Sequence, residues 1–226
     1  MLFNSIEFIV FFIFILSSIV VIKNRKYQHL FLLIGSYFFF YYSSNYLIVL
    51  LIFSTMLDFY LGKAIWNTKQ IIKKKILLTI SLAGNLGLLG FFKYSDFAIL
   101  QFNVLGEHFN FANNIPFLNL ALPIGISFYT FQTISYTVDI YRGKLQPSKS
   151  FKEFALFVAF FPQLVAGPII RASEFLPQLR EKIEVGGDNL KQIVIHNSNL
   201  KLGITIMAFG FLKKMFFADN IAPMVN

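Results

Sequence analysis

Cysteine is absent from the 226 residues, which excludes a disulfide framework, a thiol nucleophile and Cys-ligated zinc or iron–sulfur centres. A metal would need other ligands, and no metal site is expected. Charge is scarce too: only 14% of residues are charged, too few to cover a soluble globule of this length. Acidic residues are the rarer sign, 11 against 20 Lys and Arg, leaving a formal charge of +9. That excess falls in short clusters at the ends of apolar runs. Without a Lys/Arg stripe or a nucleic-acid motif, it does not point to nucleic acid. Also missing are a GxSxG nucleophile elbow, an HExxH zinc motif and a phosphate loop. No internal repeat, low-complexity tract or long linker divides the chain, so residues 1–226 read as one transmembrane region.

What is present is apolar. Hydrophobic residues make up 56% of the chain, Phe alone occurs 30 times, and the mean hydropathy is +0.64. The expected fold is an all-α, polytopic integral membrane protein. Apolar segments lie at 6–22, 29–44, 46–62, 76–92, 121–140, 154–170 and 193–212, each near the roughly 20 residues that cross a bilayer core. The first run lacks a basic stretch before it and a small-residue cleavage site after it, so it reads as a retained span and not a signal peptide. Lys23, Arg25 and Lys26 follow that span, and Lys63, Lys69, Lys73, Lys74 and Lys75 follow the third. The intervening loops carry few cations, so the positive-inside rule puts the odd-numbered loops in the cytoplasm and the N-terminus outside.

Several segments depart from plain spans. Pro162, Gly167 and Pro168 would break hydrogen bonds in a lipid-facing helix, so 154–170 is expected to be a broken or re-entrant element shielded by other helices. Residues 171–191 are polar, with Pro177 and Gly186-Gly187, and suit a short surface helix and a loop. Residues 96–116 read as an external interfacial helix plus a loop. Phe38 to Tyr42, with Tyr60 and Trp66, suit anchoring at the headgroup level.

Chemistry would be carried by polar groups at membrane depth. In LPIGISFYTFQTISYTVDIYRG, at 122–143, Gln132, Ser135 and Asp139 share a helical face, Ser127 precedes them, and Thr130, Thr133 and Thr137 lie nearby. Left in lipid, each unmatched group would cost on the order of 1 kcal/mol or more, so this face belongs in a bundle interior or a wet cavity. It either bonds helices together or lines a tunnel. Asp139 and Arg142 could pair, Pro123 opens the helix, and Gly125 would let another element pack close. In FFPQLVAGPIIR, at 160–171, Pro162, Gln163, Gly167, Pro168 and Arg171 suit either a polar passage with a fixed cation for a phosphate-bearing donor or a snorkelling arginine. Glu174 could pair with Arg171. The glycines at 84, 87 and 90 read as a close-packed helix face.

These two blocks, within a signature region at 121–182, closely resemble the membrane-bound O-acyltransferase family, in its bacterial branch that O-acetylates alginate and other polysaccharides. NLGLLGFFKYSDF at 85–97 and KLGITIMAFGFLKKMFFADN at 201–220 extend the resemblance, the latter with Gly210, Lys213, Lys214, Asp219 and Asn220. The resemblance implies a bacterial cytoplasmic-membrane enzyme with no bound cofactor. It would take an acyl group, with acetyl-CoA as the expected donor, and pass it to an extracytoplasmic polysaccharide, together with an extracytoplasmic acetyltransferase partner. Acyl transfer to a hydroxyl needs a base, which the family is understood to supply as a buried histidine. His29, His108 and His196 all read as interfacial or helix-end residues, so no catalytic residue is assigned here. The histidine is expected in a C-terminal half beyond Asn226, making this chain a fragment of roughly the first half. The alternatives are a non-catalytic membrane subunit or relic, or a transporter or flippase, against which Asp58, late in the third span, is the one acid that comes near the midpoint of a confident span.

Overall fold

The computed structural model of the chain describes residues 3, 5–109, 115–164, 167, 170–179, 193 and 195–225, the last three by backbone alone. Among these the secondary structure is helical, with no strand. In chain order the helices are α1 Ile6–Val21, α2 Arg25–Ser44, α3 Ile48–Asn67, α4 Ile71–Phe109, α5 Ile126–Tyr141, α6 Phe151–Ala159, α7 Phe161–Leu164, α8 Ala172–Leu179, α9 Asn197–Phe211 and α10 Asp219–Val225. Two helical runs, Arg25–Asn67 and Ile71–Phe109, are long and apolar enough to cross a membrane. The contacts divide into two compact units, one of residues 1–28 and 192–226, the other of residues 29–191.

Local chemistry explains most boundaries. The Ser5 hydroxyl caps α1 by accepting from the Phe8 amide at 3.2 Å. Between α2 and α3 a single 3-10 turn, Asn45–Leu47, turns the chain, with Asn45 at φ 48°, a left-handed geometry that Asn tolerates better than most residues. α5 starts at Gly125, whose φ of 78° follows a turn closed from the Ile126 amide to the Pro123 carbonyl. Gly125 therefore serves a backbone turn, where sequence suggested close packing. α5 stops in a Schellman motif: Gly143, at φ 72°, donates to Ile140 O at 3.0 Å and Lys144 to Asp139 O at 2.9 Å.

Two expectations change. The helix expected within 96–116 is not a separate one, because α4 continues unbroken to Phe109. Lys93 and Asp96 mark a change of polarity, and no proline interrupts the helix. Beyond it, residues 115–119 run back along α4. The Asn103 side chain exchanges two 2.9 Å hydrogen bonds with the Ile115 backbone, and Asp96 accepts from the Leu118 amide at 2.8 Å and the Asn119 amide at 3.2 Å. The segment at 154–170 is broken as expected, its described helical residues falling in two short pieces. α6 has nine residues, about 14 Å at 1.5 Å per residue, and α7 has four. The seventh apolar segment runs past 212, since α9 continues through a π-helical stretch, Leu212–Ala218, into α10. The wider π turn brings Lys214 and Asp219, five apart, into an exposed 2.7 Å ion pair.

The core of the larger unit is α5, packed between α3 and α4 and covered by α6. Gly62 permits the closest approach: a Cβ there would lie 2.8 Å from Cε1 of the fully buried Tyr136 and 3.0 Å from Ile140 Cδ1. The Tyr136 ring in turn packs 4.2 Å from Phe154 of α6, and its hydroxyl accepts from the Ser148 amide at 3.0 Å. The glycine face of α4 is less uniform than the sequence suggests. A Cβ at Gly84 would press on Leu57 at 2.8 Å, but among the described residues one at Gly87 or Gly90 meets nothing within 4 Å. Gly62→Ala is therefore expected to destabilise the protein by about 1–3 kcal/mol through overpacking, while Gly87→Ala and Gly90→Ala should be neutral or slightly stabilising. Thermal unfolding of the three variants in one detergent checks the contrast, and equal losses would contradict it.

Candidate functional site at the α5 junction

α5 carries two polar faces. The first enters a network with α3 and α4, each of which contributes polar residues four apart. From α3 come Ser54 and Asp58, from α4 Ser81 and Asn85, and from α5 Thr130, Thr133 and Thr137; all are buried. Asp58 sits at the centre. Its Oδ1 accepts from the Ser81 hydroxyl at 2.5 Å and its Oδ2 from the Asn85 amide at 2.7 Å. Asn85 Nδ2 also donates to Ser81 O at 2.9 Å, while Asn85 Oδ1 accepts from Ser54 Oγ at 2.5 Å and Thr133 Oγ1 at 3.4 Å. Thr137 Oγ1 lies 3.0 Å from Ser81 Oγ. Two donors on the carboxylate, each held by further bonds, are what a buried carboxylate needs in a low-dielectric interior.

The second face meets the break between α6 and α7. α6 ends at Ala159, which frees the Phe157 carbonyl, and that oxygen accepts from two side-chain amides, Gln132 Nε2 at 2.7 Å and Gln163 Nε2 at 3.1 Å. The Phe161 amide, at the start of α7, donates to Ser36 Oγ of α2 at 3.3 Å. Gly167 folds back on this turn. Its amide donates to Gln163 O at 3.1 Å, and a Cβ on it would lie 2.3 Å from Gln163 Cα, a backbone atom that cannot swing aside. The oxygen of the Gln163 carboxamide and the hydroxyl of Tyr129, one turn before Gln132, are buried without a hydrogen-bond partner among the described residues.

The other expected residues are more scattered. Ser127 and Ser135 are half-buried, and Ser135 donates locally to Gln132 O at 2.8 Å. Asp139 is buried at the last turn of α5, and among the described residues no ion pair joins it to Arg142. Pro162 is exposed in α7. Arg171 is exposed just before α8, where its carbonyl accepts from the Glu174 and Phe175 amides, and no ion pair to Glu174 is present among the described residues. Pro168 lies outside the described residues. His108 is exposed at the end of α4, His196 precedes α9, and His29 is buried near the start of α2. Sequence reasoning missed the Asp58 network, although Ser54/Asp58 and Ser81/Asn85 both show the four-residue spacing that puts side chains on one helical face.

Replacing Asp58 with Leu leaves the Ser81 and Asn85 donors without their acceptor, at about 1–3 kcal/mol for each buried group. The double variant Asp58→Leu/Asn85→Leu should recover part of that loss, because the strongest orphaned donor is removed with it. A double-mutant cycle by thermal unfolding measures this, and strict additivity would mean that the two do not interact. Gly167→Ala should lower the unfolding midpoint more than Gly90→Ala in the same assay.

No family model matches the chain, and no solved structure matches it either. Curated relatives do. The chain is 33% identical over 193 residues to the peptidoglycan O-acetyltransferase of Helicobacter pylori, covering 75% of this chain and 34% of that protein. It is 35% identical over 151 residues to the probable alginate O-acetylase AlgI of Azotobacter vinelandii, covering 66% of this chain and 28% of the relative, and equally identical over 151 residues to that of Pseudomonas aeruginosa, where it covers 26%. A match to 75% of the chain necessarily includes α5 and the break between α6 and α7. The matched stretch thus spans about a third or less of the length of these relatives. With its α5 junction inside the stretch shared with the Helicobacter pylori enzyme, the chain is similar to part of these bacterial O-acetyltransferases of the membrane-bound O-acyltransferase family.

Proposed function

We propose that the chain is part of a membrane O-acetyltransferase that takes an acetyl group from a cytoplasmic thioester, acetyl-CoA, and passes it toward the hydroxyl of an extracytoplasmic polysaccharide such as alginate. The observation that carries this reading is the match to a peptidoglycan O-acetyltransferase across the stretch containing the α5 junction, together with the match to alginate O-acetylases across α5. The polar residues of that junction support it: Gln132 and Gln163 meet at the Phe157 carbonyl, and Tyr129 lies one turn before Gln132 on α5. The buried Gln163 oxygen and Tyr129 hydroxyl are groups that the amides of a thioester arm could engage. Arg171, exposed beside α8, supplies a cation for the donor's phosphates.

The reaction joins the acceptor oxygen to the thioester carbonyl carbon, breaks the carbon–sulfur bond and releases a thiol, while the hydroxyl proton passes to a base. None of His29, His108 and His196 lies on α5 or at the α6–α7 break, so the base is assigned to the part of the full-length protein that this chain does not span. The charge pattern supports a multi-pass protein of the bacterial cytoplasmic membrane with its N-terminus outside, Lys23, Arg25, Lys26 and Lys73 to Lys75 facing the cytoplasm. A polymer acceptor outside the bilayer calls for an extracytoplasmic acetyltransferase partner that receives the group.

The test is transfer of labelled acetyl from acetyl-CoA by membrane vesicles carrying the full-length protein. Arg171→Ala is expected to raise KM for the donor by roughly tenfold or more, the value of a charge-assisted hydrogen bond, with little change in thermal stability. Unchanged donor kinetics would remove the donor role of Arg171. Gln132→Leu should lower kcat more than it alters KM if the α5 face shapes the path of the acyl group. A wild-type protein that transfers no acetyl group in the presence of its partner would overturn the reading as a whole.

A further inference from the structure

The larger unit, residues 29–191, gathers cations at one end, and the register of its helices puts them there. Ser54 Oγ lies 3.5 Å from Thr133 Oγ1, and a Cβ on Gly62 would lie 3.0 Å from Ile140 Cδ1, so α3 and α5 run in the same direction. Ser54 bonds to Asn85 and Asp58 to Ser81, the reverse order, so α4 runs the other way. The ends of α3 and α5 therefore lie level with the start of α4. Counted along each helix from the layer of Asp58, Ser81 and Thr137, Lys63 and Arg142 stand about 8 Å away and Lys75 to Lys73 about 9 to 12 Å. Lys144 follows in the turn that ends α5. Lys63 Nζ packs 4.1 Å from the centre of the Phe59 ring and donates to Lys149 O at 3.5 Å, which ties the loop after α5 to the end of α3. Lys73, Lys75, Arg142 and Lys144 are exposed, and among the described residues no ion pair engages any of them. Residues 59–95 and 140–152 contain no acid, and Asp139 and Glu153, which border the second stretch, are buried.

We propose that this end of the bundle binds the headgroups of anionic phospholipids, with Lys73 to Lys75 at the start of α4 and Arg142 and Lys144 at the end of α5 as the phosphate-binding groups. Height is the first argument. The cations of three helices fall within about 4 Å of one another along the bundle axis, which fits the roughly 5–8 Å depth of one headgroup layer. Neighbouring side chains are the second. Ile72 and Ile76 of α4 and Trp66 of α3 are exposed at the same level as the lysines, Ile72 and Ile76 flanking them in sequence. The boundary of a bilayer satisfies both kinds of group at once, apolar side chains and an indole toward the acyl chains and ammonium groups toward the phosphates. An acidic protein or a free anion would use the cations and leave the isoleucines in water. Charge is the third. With the bordering acids turned inward, nothing among the described residues neutralises this surface, and each cation there favours an anionic headgroup about fivefold. The inference needs the membrane location of the protein but not its acetyl-transfer role, so either can fail alone.

The test uses the full-length protein in nanodiscs that contain trace phosphatidylglycerol or phosphatidylcholine carrying a photoactivatable group next to the headgroup, followed by mapping of the labelled peptides. Peptides that hold residues 63–76 and 140–149 are expected to capture phosphatidylglycerol at least about tenfold better than phosphatidylcholine, the value of two or more cations acting together. High salt should shrink that preference, because exposed charges are screened. Lys73→Gln/Lys74→Gln/Lys75→Gln should cut capture of phosphatidylglycerol on both peptides toward the level of phosphatidylcholine, whose own capture should not change. Inorganic phosphate at equal concentration and equal ionic strength should not displace the lipid. Equal capture of the two lipids by the wild type, a comparison that depends on no variant, would overturn the proposal. So would a preference that survives high salt undiminished, displacement by phosphate alone, or a carbodiimide cross-link joining Lys73, Lys74 or Lys75 to an acidic segment elsewhere in the full-length protein.

Discussion

The Asp58 carboxylate, held by the Ser81 hydroxyl and the Asn85 amide, is the interaction on which the larger unit depends. In an apolar interior the free energy of a hydrogen bond counts less than the cost of leaving its members unmatched. Three helices that each bring polar residues to one point can therefore meet in only one register. Any axial slip of α3 against α4 separates Asp58 from both donors at once. Apolar contacts alone do not discriminate so sharply, since Leu, Ile and Phe surfaces slide past one another at modest cost. The two glycines that bring backbones close, Gly62 against Tyr136 and Gly84 against Leu57, sit beside this point, so the polar bonds and the close packing reinforce the same arrangement.

That register decides what the other face of α5 can do. With Thr133 and Thr137 committed to the network, Gln132 and Tyr136 project toward α6. A helix that ends inside a bundle exposes carbonyls that water cannot reach, and the break after Ala159 would be costly without partners. Gln132, Gln163 and Ser36 supply them from three different elements. Gly167 then lets the chain lie on the Gln163 backbone, a contact that any Cβ would prevent. The break in this motif is thus matched by the Gln132 amide of α5, the Gln163 amide of α7 and the Ser36 hydroxyl of α2, which explains how an interrupted helix persists in apolar surroundings.

Much of this was legible in the sequence, and the exceptions have physical causes. Positions of the apolar helices follow from hydrophobic runs of sufficient length, and the break near Pro162 follows from residues that cannot sustain a helix. The continuation of α4 to Phe109 was not legible, because charge at Lys93 and Asp96 signals a change of surroundings, whereas a helix ends only where the backbone or a cap ends it. Nor was the role of Gly125, since a glycine in sequence does not reveal whether it serves close packing or a left-handed turn. Asp58 stood out as a lone acid in an apolar helix, but its partners lie 23 and 27 residues away and carry no signal beyond their spacing.

By itself the sequence determined that this chain is helical and apolar, where its cations cluster, and which short motifs resemble those of O-acyltransferases. Composition and periodicity suffice for these, because burial of an apolar stretch and the intolerance of a helix for proline are properties of the local chain. Only the tertiary structure decided which polar groups meet. Pairing Asp58 with Asn85, Gln132 with the Phe157 carbonyl and Gln28 with Ile193 depends on the rotation and register of whole helices. Those are set by the sum of many contacts between distant segments, and no single stretch of sequence contains that sum.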